Sequence, residues 1–125
     1  MKVKQPLTYI LGLILFTLSF VGNADQCSYE LPPNEQITLQ GKETGSRTLS
    51  CKVEHNVEGS DFMMNFVSET NTSIVNNLIM PEDTIMTLSF ASMNNNALKL
   101  ELKTKAKLGI TNESTDVIRM ICLEL

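Results

Sequence analysis

The side chains that could do chemistry are few: one histidine, three cysteines, seven methionines, and a scatter of serines and carboxylates. His55, in Glu54-His55-Asn56-Val57, is the single imidazole, so a Ser–His–Asp arrangement has one possible base. No Gly-x-Ser-x-Gly elbow surrounds any serine. A lone histidine after a strand reads more plainly as a solvated loop residue. A thiol enzyme would need an unpaired cysteine beside His55. Cys51 is four residues away, which along a strand is about 13 Å.

Metal chemistry has equally thin support. Three cysteines and one histidine could in principle complete a tetrahedral zinc site, but no C-x-x-C pair occurs. Met63-Met64, Met80, Met86 and Met93 together with His55 bring a copper carrier to mind. The tight H-x-M spacing of such carriers is missing, and methionine in strands is ordinarily core filler. Met63, Met64 and His55 are the candidates if the protein carries a small ligand or copper. No phosphate loop, dinucleotide fingerprint or calcium loop occurs, so the sequence implies no cofactor. Asn71-Thr72-Ser73 and Asn112-Glu113-Ser114 match the glycosylation pattern, a match that arises often by chance.

The start of the chain decides the compartment. Lys2 and Lys4 precede an apolar run from Leu7 to Val21, and no charge intervenes before Asp25. Gly22-Asn23-Ala24 offers small residues for cleavage, so residues 1–24 read as a signal peptide and 25–125 as the working domain. The apolar core is about 15 residues, short of the roughly 20 a spanning helix needs, so no stable membrane anchor is expected after cleavage. The expected location is exported: periplasmic, outer-membrane-associated or secreted.

Export makes a disulfide the default for Cys27, Cys51 and Cys122. Three cysteines permit one bridge and leave one thiol. Cys51 and Cys122 each lie in a strand-like run, 71 residues apart. Cys27 with Cys51 would pin the N-terminus, and Cys27 with Cys122 would join the two ends. The sequence leaves all three pairings open. Because chain ends fray unless tied down, a bridge using Cys27 is the favoured expectation.

Cleavage also changes the charge. Lys plus Arg falls from 10 to 8 against 14 acidic residues, a net charge near −6. An acidic protein repels phosphate backbones, which argues against nucleic acid as a partner. Tyr29, Phe62, Phe66 and Phe90 are the aromatics that remain, too few for a stacking platform.

The elements that must position these residues have a period of two. Leu98, Leu100 and Leu102 alternate with Lys99, Glu101 and Lys103, a strand with one dry face. Lys103, Lys105 and Lys107 continue the wet side, as on a charged edge strand. The same alternation marks Ile37 and Leu39; Leu49, Cys51 and Val53; Phe62, Met64 and Phe66; and Met86, Leu88 and Phe90. Ile74-Val75 anchors a short strand. Val117 to Leu125 is apolar on both faces apart from Arg119 and Glu124 and should run centrally. Turn signals recur every 8–14 residues, including Leu31-Pro32-Pro33-Asn34, Gly41 to Gly45, Met80-Pro81-Glu82-Asp83 and Gly109 to Asp116. Asn94-Asn95-Asn96 predicts a hairpin between its flanking strands. The expected fold is all-β, an antiparallel sandwich of seven or eight strands.

Cys27-Ser28-Tyr29, the following Leu31-Pro32-Pro33, the Asn-rich strands and the closing Ile118-Arg119-Met120-Ile121-Cys122 give the chain a layout that resembles small periplasmic proteins of Gram-negative intracellular pathogens. These are the enhanced-entry proteins and the accessory subunits of type IVB secretion complexes. The resemblance spans most of residues 25–125 and rests on no specific motif; Cys51 and the lack of Trp depart from it. It implies an envelope protein that works among other envelope proteins in an assembly, and it assigns no functional residue.

Overall fold

The computed structural model describes residues 26–55, 61–90 and 96–125; the expected signal peptide lies outside them. The described residues form ten strands and no helix. They are β1 (Gln26–Leu31), β2 (Gln36–Gln40), β3 (Arg47–His55), β4 (Phe62–Thr70), β5 (Ser73–Val75), β6 (Leu78–Met80), β7 (Ile85–Phe90), β8 (Ala97–Leu102), β9 (Lys107–Asn112) and β10 (Ile118–Glu124). Two antiparallel sheets result, one ordered β1-β10-β3-β8-β5-β6 and the other β2-β9-β4-β7. With the β5–β6 hairpin set aside, eight strands divide between two four-stranded sheets in jelly-roll order. The hairpin widens one sheet by two strands.

The sandwich follows from the alternation in the sequence. Leu98, Leu100 and Leu102 of β8 point inward and are buried, and Leu49, Cys51 and Val53 of β3 do the same beside them. Phe62, Met64 and Phe66 of β4 supply the facing layer with Leu108 and Ile110 of β9. Each such side chain stabilises by about 1.5–3 kcal/mol through burial. Two opposite sides of the sandwich are each crossed by a short connection. Residues 32–35 lead from β1 to β2, and residues 81–84 lead from β6 to β7. Connections of four residues cannot reach far, so β1 and β2 flank one open side and β6 and β7 the other.

Several sequence expectations change. Lys103, Lys105 and Lys107 do not lie on an edge. β8 runs between β3 and β5, β9 runs between β2 and β4, and Lys103 and Lys105 lie in the connection between them. The reversal there is set by the positive φ of Lys105, 60°, which the charge pattern does not reveal. Gly109, read as the start of a turn, lies within β9. β7 and β8 do not form a hairpin; they belong to different sheets. Asn94 and Asn95 lie outside the described residues. The two-residue hairpin turn falls instead at Asn76-Asn77, with φ of 48° and 69°, a backbone that asparagine tolerates better than most residues. Val117–Leu125 is central as expected, with β10 between β1 and β3.

Cys51 and Cys122 form the disulfide. The expected bridge through Cys27 does not form, and Cys27 is free. Cys51 and Cys122 stand directly opposite on adjacent strands, and the sheet already ties β1 down through six paired residues with β10. Closing a 71-residue separation stabilises by about 4 kcal/mol on chain-entropy grounds. A disulfide of this kind points to an oxidising, extracytoplasmic compartment. Among the described residues no helix is long and apolar enough to cross a membrane.

Candidate functional site

One end of the roll gathers polar side chains. β3 ends at His55, β4 begins at Phe62, and the connection from β9 to β10 brings Glu113, Ser114, Thr115 and Asp116 to the same place. Together with Asp61, Met63 and Ser89 these residues line a cleft of about 420 Å³. Residues 56–60 and 91–95 adjoin this end in the chain and lie outside the described residues.

His55 is held by rings. Its imidazole stacks on Phe62 with centroids 4.8 Å apart, and Phe62 stacks on Phe90 at 5.2 Å. Phe62 and Phe90 are direct partners across β4 and β7, so pleat geometry alone sets that part of the stack. The imidazole is nearly buried, 6% exposed, with Nε2 3.8 Å from Oδ2 of Asp116, an ion pair whenever the ring is protonated. The reading of His55 as a solvated loop residue is therefore corrected. It is the last residue of a strand, and the stack on Phe62 takes it out of water.

The loop that carries Asp116 is fastened by its own residues. Asn112 Nδ2 donates to the Asp116 carbonyl at 2.7 Å, and Asn112 Oδ1 accepts the Ser114 N–H at 2.7 Å. Ser114 Oγ accepts the Met63 N–H at 3.0 Å, and the Glu113 N–H bonds the Met63 carbonyl at 3.0 Å. Asn112 is fully buried, so the glycosylation match at Asn112-Glu113-Ser114 marks a structural asparagine. Asn71 is exposed, with its amide nitrogen donating to the Thr104 carbonyl at 2.5 Å.

The cleft thus assembles residue types that sequence spacing kept apart. His55, Asp116 and Ser114 share it, as do His55 and Met63. Met64 does not; it is fully buried in the core, as is Met80, and Met86 packs against that core. Met93 lies outside the described residues. Asp61, Glu113 and Asp116 make the cleft acidic, which suits a cation and disfavours phosphates. Among the described residues no three His, Cys, Asp or Glu side chains are grouped to hold a metal ion. Cys51 is spent in the disulfide, so it supplies no thiolate to His55. The convergence on His55 was not legible in the sequence, because Asp116 lies 61 positions further along the chain.

Neither a protein-family model nor a curated protein sequence matches the chain. Among solved structures it is similar to CENP-C of Drosophila melanogaster bound to CAL1, at 12% identity and a TM-score of 0.45, over 80% of this chain and 63% of that one. It is also similar to a dTDP sugar isomerase from Desulfovibrio desulfuricans, at 8% identity and a TM-score of 0.46, over 88% of this chain and 62% of that one. A de novo designed double-stranded β-helix is similar at 11% identity and a TM-score of 0.38, over 81% and 99%. The chain spans about three fifths of the length of the two natural proteins. The jelly-roll assignment rests on the strand pairings of this chain itself.

Proposed function

We propose that the protein is a non-enzymatic, exported β-domain that serves as a structural or protein-interaction component of the bacterial envelope or of a secretion or virulence assembly. One observation carries the reading. Leu78 and Ile79 of β6 and Ile85 of β7 are 51%, 68% and 69% exposed, and both strands are sheet edges on the same open side. Natural edge strands are usually blunted by charge or proline; β7, six residues long, carries neither. Among the described residues it pairs only with β4. An extended segment of a partner envelope protein could add to β7 through main-chain hydrogen bonds and cover Ile85. The disulfide supports the exported setting.

Site-specific photo-crosslinking in the native envelope tests this. A benzophenone side chain placed at Ile85 should yield discrete adducts with an envelope protein, and one placed at Thr38 on the opposite open side should not. Equal patterns from both positions, or none from Ile85, would overturn it.

A second reading is a small-ligand or copper carrier, favoured by His55 and Met63 lining one acidic cleft. Titration with Cu(I) and Cu(II) should then raise the melting temperature of the wild type and not that of His55→Ala. An unchanged wild type eliminates the carrier.

A further inference from the structure

Cys27, Cys122 and Cys51 form one row across three hydrogen-bonded strands. Cys27 of β1 is the register partner of Cys122 of β10, and Cys122 is the register partner of Cys51 of β3. Directly opposed residues of antiparallel strands project from the same face of the sheet. Here that face is the core side: Cys122 and Cys51 are buried, and Cys27 is half-buried at the edge. Cys122 and Cys51 are bonded, with Cα atoms 3.9 Å apart, and Cys27 is free. The free thiol therefore stands on the side of Cys122 opposite its bonded partner.

Disulfide exchange proceeds by attack of a thiolate on one sulfur while the other departs on the far side. The sheet order β1-β10-β3 places attacker, centre and leaving group in that sequence. Opposed residues on neighbouring antiparallel strands have Cα atoms about 4.5–5.5 Å apart, a separation that ordinary disulfides span. Cys122 can thus bond to either neighbour without a change of register. Tyr29 lies two residues along the same face of β1. Tyr29 titrates above the usual tyrosine value, first because of burial and then because of Cys27, with Arg47 opposing. The phenol therefore keeps its proton through the neutral range.

The geometry points to an internal exchange of the bridge. The Cys27 thiolate attacks Sγ of Cys122, a Cys27–Cys122 bond forms, the Cys122–Cys51 bond breaks, and the electron pair leaves on Cys51. The Cys27 proton passes to solvent and Cys51 takes one up, so no oxidant or reductant is consumed. The step moves the covalent tie from the β10–β3 pair to the β1–β10 pair at the sheet edge. It exchanges an edge thiol for a core thiol.

The test is a time course on the oxidised wild-type protein at pH 8, quenched in acid, digested with pepsin in acid and mapped without reduction. Peptides linked through Cys27–Cys122 should appear beside those linked through Cys51–Cys122. Their share should be about 0.1–10%, as for an ordinary minor state, and independent of protein concentration. Cys27→Ser should hold only the Cys51–Cys122 bridge, and Cys51→Ser should oxidise to Cys27–Cys122. Exclusive Cys51–Cys122 linkage in the wild type after prolonged incubation would overturn the exchange, as would Cys27 linkages found only in disulfide dimers. Should Cys51→Ser fail to fold, the wild-type time course decides alone.

Discussion

Asn112 donates its side-chain amide to the Leu31 carbonyl at 2.8 Å, across 81 positions of sequence. The same nitrogen donates to the Asp116 carbonyl, and the amide oxygen accepts from Ser114. One buried side chain therefore joins the end of β1 to the end of β9 and fixes the loop that carries Asp116 to His55. Three good hydrogen bonds satisfy a polar group that would otherwise be costly to bury.

Asn112→Ala should lower the unfolding free energy by about 3 kcal/mol, because buried groups lose their partner. Asn112→Asp should not restore it, since a carboxylate would face two carbonyl oxygens. Urea denaturation of the three proteins measures the difference. A loss under about 1 kcal/mol for the alanine variant would show that the amide contributes little.

Tyr29 gives the protein an alkaline limit. Its hydroxyl titrates above the usual 10.0 in the folded state, chiefly through burial. A raised native value means that the unfolded chain loses the proton first. The contribution to stability is then complete below about pH 10 and is lost as pH rises through the native value. Absorbance of the phenolate near 295 nm in a chain starting at Asp25 reads Tyr29 alone. Its midpoint should lie above 10, and Tyr29→Phe should flatten the stability loss above that pH. A midpoint at or below 10 would contradict the burial account.

Two glycines should respond differently to an added methyl group. A Cβ at Gly41 would fall on the Lys103 carbonyl and crowd the Ala106 N–H, both backbone groups. A Cβ at Gly109 would meet the ends of Gln36 and Glu69, flexible side chains that now share a 2.8 Å hydrogen bond above it. Gly41→Ala should cost about 1–3 kcal/mol and Gly109→Ala under about 1 kcal/mol. Thermal unfolding of the pair gives the order, and a reversal would refute it.

Ile79→Lys and Ile85→Lys change exposed positions, so each should shift stability by less than about 0.5 kcal/mol. Under the interaction reading, Ile85→Lys should nonetheless sharply reduce recovery of partner adducts from envelope crosslinking, and Ile79→Lys, on the outer face of the other sheet, should reduce it less. Unchanged adduct yield in folded Ile85→Lys would detach the open side from function.

The strands that alternate cleanly were legible in the sequence, because a sheet face in water and a face in the core leave opposite marks on successive residues. That holds for Leu98 to Leu102 and for Phe62 to Phe66. β1, β6 and β9 were missed for different reasons. β1 alternates Cys27, Tyr29 and Leu31 against Gln26, Ser28 and Glu30 but runs straight into the Pro32-Pro33 turn signal, β6 is three residues long, and β9 carries Gly109 under the Gln36–Glu69 bridge, which reads as a turn signal. Asp116 gave no sign of its place beside His55, since nothing local links a turn carboxylate to an imidazole 61 residues earlier.

By itself the sequence determined an all-β chain with one covered face per strand, an acidic surface, three cysteines and an expectation of export. These depend on local pattern and composition, which need no knowledge of neighbours. Only the tertiary structure decided which strands pair. It placed β7 and β8 in separate sheets, set Cys122 between Cys27 and Cys51, and brought His55, Met63 and Asp116 to one mouth. Pairing between distant strands depends on register, and outside the β5–β6 hairpin the registered contacts lie between residues that sequence order leaves far apart.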